Sequence, residues 1–175
     1  DLVRSRGLGD VYKRQLEYSA MAQFNTKEEF MEGNLFDFIE EYAMNILNRS
    51  DRLKVQVVRS DTEGIEMKFV PQNIAIILDN VVSNSTKYNA NELRVLLGKD
   101  EKQYTIDFID DGDGVSSDIA DLNELFEFGK GYTLTGTGVG LYHIKDIVEK
   151  DLQGTVTIES EPQKGFALHV RFGKV

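Results

Sequence analysis

The chain of 175 residues contains no cysteine and no tryptophan, and only two histidines and two prolines. Without thiols there can be no disulfide, thiolate metal centre or cysteine nucleophile, which suits a reducing compartment. Two histidines alone are too few for a structural zinc site. No apolar run approaches the roughly 18 residues that mark a membrane span, so the segment is expected neither to cross a bilayer nor to carry a secretory signal, whatever a longer parent does. Basic charge is also short: 20 Lys and Arg against 30 Asp and Glu give a formal charge of −10, which disfavours nucleic acid and anionic membranes as partners. What is present is globular. Ten Phe and seven Tyr in a chain that is 41% hydrophobic can build the core of one ordinary domain.

The first fifteen residues, DLVRSRGLGDVYKRQ, stand apart, because Arg4, Arg6, Lys13 and Arg14 cluster in a chain that is otherwise acidic. Their apolar positions follow neither a helical nor a strand period. The string resembles the translated read-through of a sequencing adapter and is set aside from the fold; a natural basic linker is the alternative. Residues 16–33 are polar with scattered aromatics and are expected to link to a missing upstream domain, which leaves 34–175 as the folded unit.

Within that unit Asn34 is placed to cap a helix running to about Asn48, with Leu35, Phe38, Ile39, Tyr42 and Ile46 at helical spacing. Lys54 to Ser60 and Ile65 to Val70 alternate around Asp61-Thr62-Glu63-Gly64 and predict a hairpin. Pro71 opens a helix to Tyr88, a position where proline costs no hydrogen bond. Strands are expected at Leu93 to Gly98 and Tyr104 to Ile109. A long loop follows from Val115 to Thr137, with one short helical stretch from Asp118 to Phe126. A helix from Val139 to Asp151 and a hairpin of Gly154 to Ser160 with Phe166 to Phe172 close the chain. Paired strands separated by helices predict an α+β fold, a two-layer α/β sandwich whose mixed, mostly antiparallel sheet carries its helices on one face. The strict alternation of a doubly wound dinucleotide domain is missing.

Three pieces of this pattern carry chemistry. On the helix from Pro71, a turn of about 100° per residue puts Asn80, Asn84 and Lys87 on one stripe, with Ile74, Leu78, Val81, Val82 and Ser85 on the far side. Asparagine is a poor helix-interior residue, so two of them one turn apart suggest oxygens for a cation or amides for phosphate; a wet polar stripe is the plainer reading. Second, Asp110-Asp111-Gly112-Asp113-Gly114 follows a strand directly. A carboxylate there can accept from an exocyclic amine while glycines admit a flat ring, though the same string also serves as a turn, and it lacks the spacing of an EF-hand. Third, Gly136-Thr137-Gly138-Val139-Gly140 leads into a helix whose N–H groups can cradle phosphate, with Leu141 and Tyr142 where a P-loop would carry Lys and Ser or Thr.

Taken together, their order and spacing resemble the ATP-binding domain of sensor histidine kinases, the Bergerat or GHKL fold shared with gyrase B, Hsp90 and MutL. Asn80 to Tyr88 is similar to the N box, Asp110 to Gly114 to the G1 box and Gly136 to Leu141 to the G2 box. The resemblance implies ATP with Mg²⁺ as cofactors. By it Asn80 and Asn84 serve the metal, Lys87 the phosphates, and Tyr88 lines the pocket. Asp110 accepts from the adenine amino group, Gly112 and Gly114 shape the floor, and Gly136, Thr137, Gly138, Val139, Gly140 and Leu141 meet the triphosphate. The segment 115–137 becomes a lid over the nucleotide. Two departures stand out: Phe126-Glu127-Phe128 is shorter than the usual F box and lacks its proline, and Phe166 and Ala167 follow Gly165 where relatives carry a threonine pair. Lys130 stands where some kinases carry an arginine near the γ-phosphate.

In hydrolysing relatives the first N-box position is Glu, which can activate water; the amide of Asn80 cannot. The expectation is therefore transfer of the γ-phosphoryl to a protein acceptor. The resemblance implies that this acceptor is a histidine on a separate dimerisation domain, upstream or on a partner, followed by a response regulator, in a homodimeric two-component kinase. Asp79 points about 100° from Asn80 along the helix and is given no part. Neither His143, expected to pack within its helix, nor His169, expected to be structural in the last strand, lies in a phosphoacceptor motif. A cytoplasmic domain, on a parent that is free or membrane-anchored, fits this reading. A GHKL ATPase that drives a conformational switch and a degenerate nucleotide-binding docking module are the alternatives.

Overall fold

The computed structural model describes residues 29–49, 51–127 and 140–175. The adapter-like residues 1–15 and most of the expected linker lie outside them. The elements run β1 (Met31–Asn34), α1 (Leu35–Asn45), β2 (Lys54–Arg59), β3 (Glu66–Phe69), α2 (Pro71–Lys87), β4 (Glu92–Lys99), β5 (Tyr104–Asp110), α3 (Gly140–Asp151), β6 (Thr155–Ser160) and β7 (Phe166–Phe172). Short 3₁₀ turns stand at Leu47–Arg49 and Leu122–Phe126. Asn34 caps α1, its side-chain oxygen accepting the Asp37 N–H at 3.1 Å, and Pro71 occupies the first turn of α2.

Five strands form the main sheet in the order β2-β4-β5-β7-β6, parallel between β2 and β4 and antiparallel elsewhere. The parallel pair needs a crossover, and α2 lies within it, which lays that helix on the sheet face. Register and alternation agree on which face this is. Leu93, Asp110 and Phe166 share one row, Val95, Phe108 and Leu168 the next, Leu97, Ile106 and Val170 a third, and all nine are buried. The other face carries Arg94, Asp107, His169 and Thr157, polar side chains that alternate outward. The expected two-layer α+β sandwich with helices on one face is therefore present. Among the described residues no helix is long and apolar enough to cross a membrane.

Three local expectations fail. The segments β2 and β3 do not form a hairpin: β2 pairs with β4, while β3 pairs antiparallel with β1 in a separate two-stranded sheet. The buried carboxylate of Asp61 accepts the N–H groups of Glu63 and Gly64 and bends the chain away from β2, and Asn34 Nδ2 donates to the Glu63 carbonyl at 2.8 Å, tying the turn to β1 instead. That partner strand, Met31–Asn34, takes in the last three residues of the expected linker, 31–33. His143 is exposed rather than packed; the residues of α3 that enter the core are Ile144, Ile147 and Val148.

The first part of the expected lid is anchored. Val115 is buried, its N–H donating to Ser160 Oγ at 2.9 Å, and Phe126 is buried with Lys145 Nζ 5.4 Å from its ring centre. Residues 128–139, which hold Phe128 and the rest of that segment, lie outside the described residues.

Candidate functional site

The polar stripe of α2 follows the helical spacing. Ile74, Leu78, Val81 and Ser85 are buried, Asn80 and Asn84 are half-buried, and Lys87 is exposed. Asn80 Nδ2 donates to the Ile76 carbonyl one turn back at 2.9 Å, which spends the donor end of the amide on its own helix. The oxygen end is turned outward: a Cβ added to Gly140, the first residue of α3, would lie 3.1 Å from Asn80 Oδ1. The first asparagine and the start of the third helix are thus neighbours, and a side chain at Gly140 would press on that amide. Burial pushes the Tyr88 phenol above its ordinary range, keeping it protonated at the C-terminal end of α2.

At the end of β5 each carboxylate of the Asp-rich string has its own partners. Asp110 is 6% exposed; its Oδ1 accepts the N–H of Gly112 at 3.0 Å and of Phe166 at 3.2 Å, and its Oδ2 accepts the Ser85 hydroxyl at 2.8 Å. Asp111 Oδ1 accepts the N–H groups of Glu92 and Asn91 at 2.9 and 2.8 Å, and backbone donors hold that carboxyl below its ordinary range. Asp113 Oδ2 accepts from Asn89 Nδ2 at 2.6 Å. A loose calcium loop would leave such groups facing one another, whereas these are distributed among protein donors. Gly112 is required by packing, since a Cβ there would stand 2.6 Å from the Tyr88 carbonyl oxygen. Gly114 has φ +71°, and a Cβ would meet the Glu161 carbonyl. Both glycines therefore clamp the strand end between α2 and the β6–β7 turn.

Leu141, in the first turn of α3, packs against the core. Lys130, Gly136, Thr137, Gly138 and Val139 lie outside the described residues. What the described residues bring together is Asn80 with Gly140, and Asp110 with α2 through Ser85. An open depression of about 340 Å³ also touches Asp110, from the side of Glu159, Lys164 and Ala167, and includes none of the α2 residues. His169 sits on the outer sheet face, with Nδ1 2.6 Å from Asp107 Oδ1, an oxygen that Arg171 also reaches at 2.8 Å, as a structural strand residue should.

Two partners escaped the sequence reading. Ser85 was grouped with the apolar side of α2; a lone hydroxyl in an apolar row needs a buried acceptor, and that was the available signal. Tyr42, wholly buried on α1, donates its hydroxyl to Asp79 Oδ1 at 2.8 Å, so Asp79 faces α1 and not the asparagine stripe. Burial pushes the Asp79 carboxyl up, partly offset by the Tyr42 hydrogen bond. The folded protein then holds this proton more tightly than the unfolded chain, so the stability it contributes is full at low pH and is lost as pH rises through the folded value. Asp79→Asn keeps an oxygen for Tyr42, and its melting temperature should fall less than that of the parent between about pH 4 and pH 7. Parallel melting curves across that range would exclude this account of Asp79.

The sequence profile described as histidine kinase-, DNA gyrase B- and HSP90-like ATPase matches residues 69–174, which span α2, β4, β5, α3, β6 and β7. The chain belongs to this family. ATP is accordingly the nucleotide of this ATPase-family domain. It is 26% identical over 176 residues to the sensor protein kinase PilS of Pseudomonas aeruginosa, a match covering 97% of this chain and 32% of that protein. It is 25% identical over 187 residues to the heme sensor protein HssS of Staphylococcus saprophyticus, covering the whole of this chain and 40% of that one. The chain thus spans well under half the length of these curated relatives. Among solved structures, the catalytic domain of histidine kinase ThkA superposes with a TM-score of 0.66 at 18% identity, covering 83% of this chain and 96% of that one. The ATP-binding domain of PrrB from Mycobacterium tuberculosis gives 0.63 at 19% identity, covering 83% and 98%. These likenesses carry the fold of a histidine kinase ATP-binding domain.

Proposed function

We propose that this ATPase-family chain is the catalytic domain of a sensor histidine kinase, transferring the γ-phosphoryl of ATP to a histidine on a separate dimerisation domain. The observation that carries the reading is Asn80, an amide at the N-box position where hydrolysing relatives hold Glu, with its oxygen turned toward the start of α3. An amide cannot take a proton from water, so the site orients ATP without activating its hydrolysis. Two sensor proteins among the relatives support the same class.

In this reading Asn80 and Asn84 offer neutral oxygens to a Mg²⁺ ion, a hard cation that prefers oxygen ligands and keeps most of its remaining positions for phosphates and water. Bound there, the ion would neutralise charge on the phosphate oxygens. The outward Asn80 oxygen fits that donor set. Lys87, exposed at the end of α2, adds positive charge toward the phosphates, and the N-terminus of α3 adds its partial positive charge beside Asn80. Gly136, Thr137, Gly138 and Val139, with Lys130 before them, would complete the phosphate side. Asp110, an acceptor only, receives the adenine amine, and Tyr88 walls the pocket. The acceptor histidine belongs to a dimerisation domain, a response regulator takes the phosphoryl next, and the parent acts as a homodimer with this domain in the cytoplasm, where ATP is supplied.

The test is phosphoryl transfer. The chain, mixed with dimerisation domains from sensor kinases and labelled ATP, should place acid-labile, base-stable phosphate on the acceptor histidine while releasing inorganic phosphate slowly. Fast Mg²⁺-dependent hydrolysis with no phosphohistidine would favour the ATPase switch, and failure to bind ATP at all would leave a docking module.

A further inference from the structure

We propose that Ser85 is a positioning residue of the nucleotide site, acting through Asp110 to favour a base that presents an amine. This inference rests on the reading of Asp110 as the acceptor for the base. Ser85 is 1% exposed in the otherwise apolar row of α2, and its one hydroxyl hydrogen goes to Asp110 Oδ2 at 2.8 Å. The other carboxylate oxygen is filled by the N–H groups of Gly112 and Phe166. An ionised carboxylate has about four lone-pair positions; the described residues take two on Oδ1 and one on Oδ2, and leave one on Oδ2. The three donors come from α2, from the loop after β5 and from β7, so the plane of the carboxylate is held from three directions and the direction of the remaining lone pair is set. Among the described residues, backbone donors fix only Oδ1, and Ser85 is the donor that fixes Oδ2. Phe166 and Ala167, which follow Gly165 in β7, bring no hydroxyl to the carboxylate, so the side-chain hydroxyl comes from the helix. With Oδ2 fixed, a base amine meets an oriented acceptor and a base carbonyl meets an anion. Freed of Ser85, the carboxylate can swing and the distinction weakens.

The experiment is competition of ATP, GTP and purine riboside triphosphate against a fluorescent nucleotide on the full chain, for the parent, Ser85→Ala, Ser85→Cys and Asp110→Asn, with a melting curve for each. Cysteine keeps a group on the same Cβ, slightly larger than the hydroxyl, and donates only weakly, so it reports the same loss should the alanine variant not fold. For either Ser85 variant the preference for ATP over GTP should drop roughly tenfold, the scale of one hydrogen bond to a charged group, while affinity for purine riboside triphosphate, which lacks the amine, stays level. A folded Ser85 variant with unchanged base preference, beside an Asp110→Asn variant whose preference does change, overturns the role of Ser85 and leaves Asp110 standing. Unchanged preference in Asp110→Asn as well removes the base-recognition role of the carboxylate, and the role of Ser85 with it.

Discussion

Asn80→Ala should lower the affinity for Mg²⁺-ATP, and with it phosphoryl transfer, by at least about a hundredfold, a scale reached when even an outer partner of a metal site is lost. The same change should leave the fold intact or make it slightly more stable. Asparagine is worse than alanine in a helix interior by several tenths of a kcal/mol, because its side chain competes with the backbone for hydrogen bonds. That competition is visible in the bond from Asn80 Nδ2 to the Ile76 carbonyl. What alanine removes is the outward oxygen beside Gly140. A purely structural role would give the opposite pattern, a lower melting temperature with nucleotide affinity intact. Binding measured with and without Mg²⁺, together with a melting curve, separates the two: the loss should be large with the ion and small without it.

Asp110→Asn should weaken ATP binding by at least about a hundredfold and narrow the preference for adenine over guanine, because a site built to pair with a substrate amine discriminates strongly once its polar group no longer matches. The geometry specifies how. The asparagine oxygen can replace Oδ1 and still accept from Gly112 and Phe166, and the new amide can donate to Ser85 Oγ, which accepts as readily as it donates. The local hydrogen bonds survive in number. The remaining amide hydrogen then points where Oδ2 had offered a lone pair, so it opposes an amine and suits a carbonyl. Competition of ATP against GTP reads this directly, and an unchanged ratio in a folded variant would remove Asp110 from base recognition.

The layers and the site differ in how legible they were. Period alone located α2 and its polar stripe, because a helix of this length shows its apolar row several times over and Pro71 marks its start. The same is true of β5 and β7, where alternation repeats through seven residues in each. The neighbours of β2 and β3 were hidden, since alternation states which side of a strand is buried and not which strand lies beside it. Asp61, whose carboxylate turns the chain, looks like any turn aspartate in sequence. Met31–Asn34 is too short to show a period. Asn80 and Asp110 were singled out by motif, while the contacts of Ser85 and Tyr42 were not, because each is made with a residue distant in sequence. Gly112 and Gly114 were read as making room for a ring, and the structure places protein backbone against both.

In the proposed arrangement the amide face of α2, the start of α3 and the end of β5 bound one nucleotide site. A crystal structure of the chain with Mg²⁺ and a non-hydrolysable ATP analogue would decide it. The account expects the base amine within hydrogen-bond distance of Asp110 Oδ2 and the Asn80 oxygen about 2.1 Å from the ion. A nucleotide seated instead in the depression beside Glu159 and Lys164, with Asn80 and Gly140 untouched, would contradict it.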